Sequence, residues 1–187
     1  MEIIIFSEPI DRQECPLVEA GFFEDERPLK GAAGLLDWRL NGTISREIIG
    51  GRITGRFKET VIIPSNGRIQ SPKILLIGLG PAGRISYPKL REISGHLLHT
   101  LLKIDLFDFC CSIPHSKPYP LECSKAVEVW VEGVADALEF HDMSRGEIKM
   151  RIAEEDPWID EALLGAQTAK VILKQRMKIK VKHEPRS

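Results

Sequence analysis

The sequence has 187 residues, of which 43% are hydrophobic, and a chain of this size supports one substantial core rather than two ordinary domains. Its 26 Lys and Arg residues nearly balance 27 Asp and Glu residues, for a formal charge of −1, so no overall charge attracts it to nucleic acid or to a membrane surface. The longest apolar runs are strand-length and far below the roughly 20 residues that span a bilayer.

The N-terminus and the cysteines both predict a cytoplasmic protein. The opening MEIII carries an acidic residue and no basic segment, unlike a signal peptide. The cysteines, at positions 15, 110, 111 and 123, have no C-x-x-C spacing, and we interpret them as reduced thiols. Cys110 and Cys111 are adjacent in a predicted strand and are therefore expected to point to opposite faces.

Apolar patterns along the chain predict alternating strands and helices. The predicted strands are 2–6, 60–64, 73–80, 104–113 and 147–153. The predicted helices are 35–49, 88–103, 121–140 and 156–177. The first helix follows a small-residue turn and stops at Gly50-Gly51, and the last begins with Asp156 as N-cap and Pro157 behind it. This alternation predicts an α/β fold, a three-layer α/β/α sandwich with a mixed central sheet.

The segment KILLIGLGPAG, residues 73–83, contains G-x-G-x-x-G directly after a predicted strand. A dinucleotide-binding turn of this form opens a helix, and an acidic residue follows about 20 residues later at the end of the next strand. Asp105, 22 residues after Gly83, lies instead at the start of that strand. The alternatives are a glycine-rich loop that ends a buried strand, and a loop whose backbone N–H groups bind a phosphate without the rest of that fold.

The stretch LLDWRLNGTISREIIGGRITGRFKETVIIPSNGRIQSPKILLIGLG, residues 35–80, resembles the N-terminal domain of the leucine aminopeptidase family. In that family an LDWR-x-x-G-x-(L/I)-S helix, a G-x-(F/I)-x-G segment, a strand ending in LLP and a strand ending in GLG follow in this order. Downstream, CCSIPHSKPYPLECSKAVEVWVEGV, residues 110–134, resembles macro domains, in which a strand ends in proline and a small-residue loop leads to YPLEEA and a helix. The two resemblances together imply a macro-domain-like domain over residues 1–176, followed by a basic tail, 177–187.

The resemblance also implies a domain without peptidase activity. The catalytic half of leucine aminopeptidases holds two metal ions in motifs such as FDTGG and NTDAEGR, and neither motif occurs in this sequence. His96 and His99 lie three apart on a predicted helix without an H-E-x-x-H motif, so we do not expect them to bind a metal. We therefore expect no catalytic residues, no metal and no cofactor.

Macro domains bind ADP-ribose through loops around its diphosphate and ribose, and the resemblance places corresponding loops here. The first, residues 31–34, precedes a helix, where free N–H groups favour a phosphate. The second, residues 78–83, would line the cleft beside it. The third, residues 115–118, has bulkier side chains where macro domains have glycines. The ligand-binding residues so implied are Gly31, Ala32, Ala33, Gly34, Gly78, Gly80, Pro81, Ala82, Gly83, His115 and Ser116.

A few other residues carry expectations of their own. Trp38 is expected to pack in the core, and Arg39 to pair with a carboxylate. His115 and Ser116 near Cys111 could suggest nucleophilic chemistry, but the sequence identifies no third residue to orient them. The KIKVK segment of the basic tail alternates like an edge strand, or is a solvated end.

Two functions follow from this sequence. One is a non-catalytic domain that binds a protein partner in assembly or regulation, either another copy of this chain or a catalytic aminopeptidase homologue. The other is a macro-like module that binds ADP-ribose or a related phosphate-containing small molecule. We expect no membrane partner, and nucleic acid is not expected beyond contacts of the basic tail with DNA phosphates.

Overall fold

The predicted alternation of strands and helices is present in the computed structural model, which describes residues 1–116, 118–139 and 146–185. The strands are β1 (Glu2–Phe6), β2 (Val18–Phe22), β3 (Thr60–Pro64), β4 (Lys73–Gly78), β5 (Asp108–Cys111), β6 (Lys149–Ala153) and β7 (Lys180–Glu184). The helices are α1 (Gly31–Arg39), α2 (Thr43–Ile49), α3 (Tyr87–Lys103), α4 (Cys123–Leu138) and α5 (Ile159–Ile172). Lys117, Phe140, Arg186 and Ser187, which fall in predicted segments, lie outside the described residues.

All seven strands form one mixed sheet in the order β3-β4-β2-β5-β6-β1-β7. Among the described strands, β3 pairs antiparallel with β4, and the other neighbouring pairs are parallel. The carboxyl ends of β2, β5, β6 and β1 therefore lie side by side at one edge of the sheet. In open α/β sheets this edge is where ligands bind.

Helices cover both faces of the sheet, so the fold is the predicted three-layer α/β/α sandwich. The larger core lies under α3, α4 and α5 and includes the fully buried Trp130. The smaller one lies under α1 and α2. Cys110 belongs to the smaller core and Cys111 to the larger, which confirms that these neighbours face opposite sides of the strand.

Four expectations about local structure need revision or completion. The sequence pattern missed β2. The helix predicted over 35–49 is two helices, because Asn41 and Gly42 have positive φ angles of 53° and 74° and turn the chain between α1 and α2. Trp38 is wrong as a core residue, since it is 68% exposed. The basic segment forms the edge strand β7, paired in parallel with β1.

Two residues of the LDWR stretch, Asp37 and Arg39, have structural roles in α1. Asp37 accepts hydrogen bonds from the backbone N–H of Ser45, at 3.0 Å, and from its hydroxyl, and so holds the first turns of α2 against α1. Arg39 pairs with the buried carboxylate of Asp11 at 2.6 Å, as expected. These contacts fix the helical layer that borders the cleft described next.

Candidate functional site

A cleft of about 900 Å³ opens at the carboxyl ends of β1, β2, β5 and β6. Residues that directly follow these strands line it, together with the N-terminal end of α1. The resemblance of the sequence to macro domains implied a cleft bordered by residues 31–34 and 78–83. The cleft is large enough to take a nucleotide-sized molecule.

The first and third predicted loops meet in this cleft. Gly31, Ala32, His115 and Ser116 all line it. Gly31 has a φ of +54°, and an added Cβ would meet nothing within 4 Å, so the backbone at the start of α1 is open to the cleft. The other two residues of the first loop do not line it: Ala33 is buried in the core, and Gly34 packs on the Leu29 carbonyl.

The glycine loop lies elsewhere. Of residues 78–83, only Leu79 lines the cleft, so Gly78, Gly80, Pro81, Ala82 and Gly83 do not. A Cβ at Gly78 would lie 2.0 Å from the Arg56 carbonyl oxygen, and Gly80 has a φ of +73° beside Phe57. Gly78 therefore allows the segment 55–57 to approach β4 closely, and Gly80 supplies a left-handed backbone conformation that favours glycine. The loop also leads into a 3-10 turn, Ala82–Arg84, rather than directly into α3, unlike a dinucleotide-binding turn.

A hydrogen-bonded group closes one side of the cleft. Tyr119 donates from its hydroxyl to both carboxylate oxygens of Glu26, at 3.0 and 3.1 Å, and Lys30 pairs with the same carboxylate at 3.1 Å. The ring of Tyr119 stacks at 4.8 Å on Phe23. Burial and the neighbouring carboxylate raise the pKa of Tyr119, so this phenol acts as a neutral donor.

His115, which also lines the cleft, connects to two other side chains. Its Nδ1 lies 2.8 Å from the Ser116 hydroxyl, and its Nε2 lies 2.7 Å from Oε2 of Glu154. The ring packs edge-on against Trp158. Glu154 is therefore the orienting partner that the sequence did not identify. The Ser116–His115–Glu154 chain places a hydroxyl beside a base, the arrangement that nucleophilic catalysis uses.

Cys123, the first residue of α4, belongs to the same group. Its sulfur lies 3.9 Å from Oε2 of Glu154 and 3.8 Å from the Trp158 carbonyl oxygen. Burial raises the pKa of the Cys123 thiol to about 12, with a further contribution from Glu154. The side chains of His115 and Glu154 are each 7% exposed, and Cys123 is fully buried. One ligand atom from each of the three lies within 4.8 Å of the other two.

The charged residues that sequence reasoning missed in the cleft are mostly acidic. Among the described residues, the cleft is lined by Glu8, Glu26, Glu154 and Glu155 against a single lysine, Lys30. Glu154 and Glu155 directly follow β6, a strand of alternating polarity. Their position at the carboxyl end of a predicted strand was the sequence signal that could have identified them. The convergence with Cys123 depends on where α4 begins, which a periodic pattern does not fix.

Comparison with known proteins gives a family and a fold. Residues 20–143 match the model of the cytosol aminopeptidase family, N-terminal domain. A probable cytosol aminopeptidase from Pseudomonas syringae pv. tomato is 27% identical over 112 residues, which are 60% of this chain and 23% of that protein. The chain spans about a quarter of the length of the curated relatives that it matches.

Solved macrodomains share the architecture. A variant of the Oceanobacillus iheyensis macrodomain superposes with a TM-score of 0.68 at 13% identity, covering 92% of this chain and 93% of that one. The Trypanosoma brucei macrodomain in complex with ADP-ribose gives a TM-score of 0.69 at 14% identity, covering 86% and 67%. At such identities the similarity shows the fold alone. Within the described residues, no helix is both long and apolar enough to cross a membrane.

Proposed function

The chain belongs to the cytosol aminopeptidase family through that family's N-terminal domain, and from this premise we propose that it is a non-catalytic binding domain of the cytoplasm. Its binding site in this proposal is the macro-like cleft, and its ligand is a phosphate-containing small molecule such as ADP-ribose. The open backbone where α1 begins in the cleft is the observation that carries the proposal.

The start of α1 supplies the features that an anion needs. Gly31 and Ala32 line the cleft, and the unpaired N–H groups of a first helical turn attract negative charge. Lys30 adds a cationic side chain at the same point. The aromatic rings of Phe23, Tyr119 and Trp158 border the same cleft and offer apolar surface to a base or a ribose.

The glutamates restrict where a phosphate can lie. Glu26 is engaged by Lys30 and Tyr119, and Glu154 by His115, whereas Glu155 has no such partner among the described contacts of its carboxylate. Repulsion by the carboxylates at the His115 side would place the phosphates at the α1 side. A ligand would therefore lie with its diphosphate near Gly31 and its remaining part towards the aromatic rings.

Calorimetric titration with ADP-ribose tests this arrangement. Ala32→Glu places a carboxylate at the start of α1, and we expect it to weaken binding more than tenfold, since a single well-placed charge contributes over about 1.4 kcal/mol in a partly buried site. Gly83→Glu is the matched control, because that position is open and lies outside the cleft. Equal loss in both variants would contradict the α1 site, and no heat from the unaltered protein would remove ADP-ribose as the ligand.

A protein partner is the second candidate, supported by exposed apolar side chains. Leu164, Val171 and Ile172 on α5 are 61%, 64% and 52% exposed, and the spacing from 164 to 171 puts them on one face of the helix. Such a face suits another copy of this chain or a catalytic aminopeptidase homologue. Sedimentation of the protein and of Leu164→Glu tests self-association: a concentration-dependent dimer lost in the variant supports it, and a monomer in both contradicts it.

A further inference from the structure

The group formed by His115, Cys123 and Glu154 has the composition of a metal site. It offers an imidazole nitrogen, a sulfur and a carboxylate oxygen, the three donor types that zinc takes in proteins. The three come from separate segments: the loop after β5, the first residue of α4 and the residue that follows β6. Because β5 and β6 are adjacent and parallel, the fold itself brings these segments together.

The distances are close to those that a tetrahedral ion needs. Zinc bonds of about 2.0 to 2.3 Å at tetrahedral angles separate neighbouring donor atoms by roughly 3.3 to 3.6 Å. The His115–Glu154 pair lies at 2.7 Å and the Cys123–Glu154 pair at 3.9 Å. Side-chain movements of under about 1 Å for these two pairs would therefore admit the ion.

We propose that His115, Cys123 and Glu154 bind a zinc-type divalent cation with its fourth position open to the cleft. Two of the three ligands, His115 and Glu154, line the cleft, so a water or a bound molecule can complete the coordination. A thiolate and a carboxylate together neutralise the charge of a divalent ion, so the site would be neutral when loaded. This site goes beyond the proposed binding of a phosphate ligand and does not depend on it.

The surroundings support the change in hydrogen bonding that binding requires. Binding of the ion would replace the hydrogen bond between His115 Nε2 and Glu154, so the ring proton would move from Nε2 to Nδ1 and be donated to the Ser116 hydroxyl. The Cys123 thiol proton would pass to solvent. A hydroxyl can donate or accept, so Ser116, at 2.8 Å, can serve in both states. The second carboxylate oxygen of Glu154 accepts from the Glu155 N–H at 3.0 Å and is held in place by it.

Titration of the full chain with Co²⁺ under reducing conditions tests the proposal, with absorption as the readout and Zn²⁺ as the competitor. We expect one equivalent to bind, with a thiolate-to-cobalt charge-transfer band that Zn²⁺ removes. Cys123→Ala should abolish the band. His115→Gln and Glu154→Gln should weaken binding by more than the roughly 10- to 100-fold that loss of an outer-sphere partner costs, and Ser116→Ala should fall within that range.

Matched controls keep the result interpretable. Cys15→Ala removes another buried cysteine and His99→Gln another histidine, and neither residue is in the cluster, so both variants should bind as the unaltered protein does. Because Cys123 is fully buried, the near-isosteric Glu154→Gln gives a second test if Cys123→Ala does not fold. A protein without the band, a band that survives Cys123→Ala, or binding unaffected by Glu154→Gln would each overturn the proposal.

Discussion

The buried carboxyl of Glu19 costs the fold stability as the pH rises towards neutral, and replacing it with glutamine should remove that pH-dependent cost. The side chain lies in β2, fully buried, and neither carboxylate oxygen makes a hydrogen bond of normal geometry. Burial raises the pKa of Glu19 from 4.5 to about 8, and an interaction with the Ser112 N–H lowers it only in part. Glu19 is therefore largely protonated in the folded protein at pH 7 and ionised in the unfolded chain.

The unfolding free energy depends on pH because the pKa of Glu19 differs between the folded and unfolded states. A carboxyl whose pKa is raised on folding contributes stability that is fully present below the unfolded pKa and is lost as pH rises to the folded pKa. Between pH 4.5 and 8 the loss approaches about 5 kcal/mol, at about 1.4 kcal/mol for each pKa unit. Over the accessible range from pH 5 to pH 8 it amounts to about 3.5 kcal/mol. That is a large part of the roughly 5 to 15 kcal/mol by which ordinary domains are stable.

Urea unfolding measures this pH-dependent loss of unfolding free energy. We would compare the protein with Glu19→Gln at pH 5, 6, 7 and 8 and follow tryptophan fluorescence. The amide does not ionise, so the difference in unfolding free energy between the two proteins should move by about 3.5 kcal/mol in favour of the variant from pH 5 to pH 8. Other titrating groups affect both proteins equally and cancel. Parallel stability curves with equal m-values would refute the reasoning, because Glu19 would then be ionised in the folded state or hydrogen-bonded.

Three further substitutions test other parts of the fold. Gly133→Ala in α4 should destabilise the protein by about 1 to 3 kcal/mol in thermal unfolding, because the added Cβ would lie 2.2 Å from a backbone carbonyl oxygen of α3. Gly83→Ala is the control and should not destabilise the protein, because its added Cβ would meet no atom within 4 Å. Asp37→Ala should lower the unfolding free energy by about 1 kcal/mol, because it removes the hydrogen bonds that Asp37 accepts from Ser45 in the first turn of α2. An unfolding free energy equal to that of the unaltered protein would argue against this. Burial raises the pKa of Glu59, but hydrogen bonds from Thr54 and Gly55 lower it overall. Glu59→Gln should therefore destabilise the folded protein at pH 7, and by progressively less as the pH falls through the folded pKa of Glu59. A loss of unfolding free energy that stays constant with pH would contradict this.

The sequence predicted the sheet and its helical layers because most elements have a clean apolar period. It missed β2 for a specific reason: VEAGF carries Glu19 and Gly21 inside a strand, and a charged residue argues against a buried strand. Only the tertiary structure shows that this carboxyl is buried and unpaired. The split between α1 and α2 was missed because a period close to 3.6 runs through Asn41 and Gly42, although these two residues have φ angles that a helix does not permit.

The candidate site was predictable as a location but not as a chemical group. His115 and Ser116 were identifiable from the resemblance to macro domains, which implies a ligand-binding loop at these positions. Glu154 and Cys123 join them only through the register of β5 against β6 and the starting point of α4, and neither is encoded in local spacing. Conversely, the glycine loop is the strongest local motif, yet its Gly78 accommodates the neighbouring segment 55–57. A local motif can therefore identify a packing requirement as readily as a binding site.

The family match covers only part of the proposed metal group, since His115 and Cys123 lie inside the matched range and Glu154 lies outside it. The family model covers residues 20–143, and within it Asp37 and Arg39 of the LDWR stretch hold α1 to its neighbours. Glu154 lies beyond that range, although it lines the cleft and contacts both His115 and Cys123. Membership of the family therefore accounts for the scaffold around the cleft, whereas what the cleft binds depends on side chains that the scaffold does not determine.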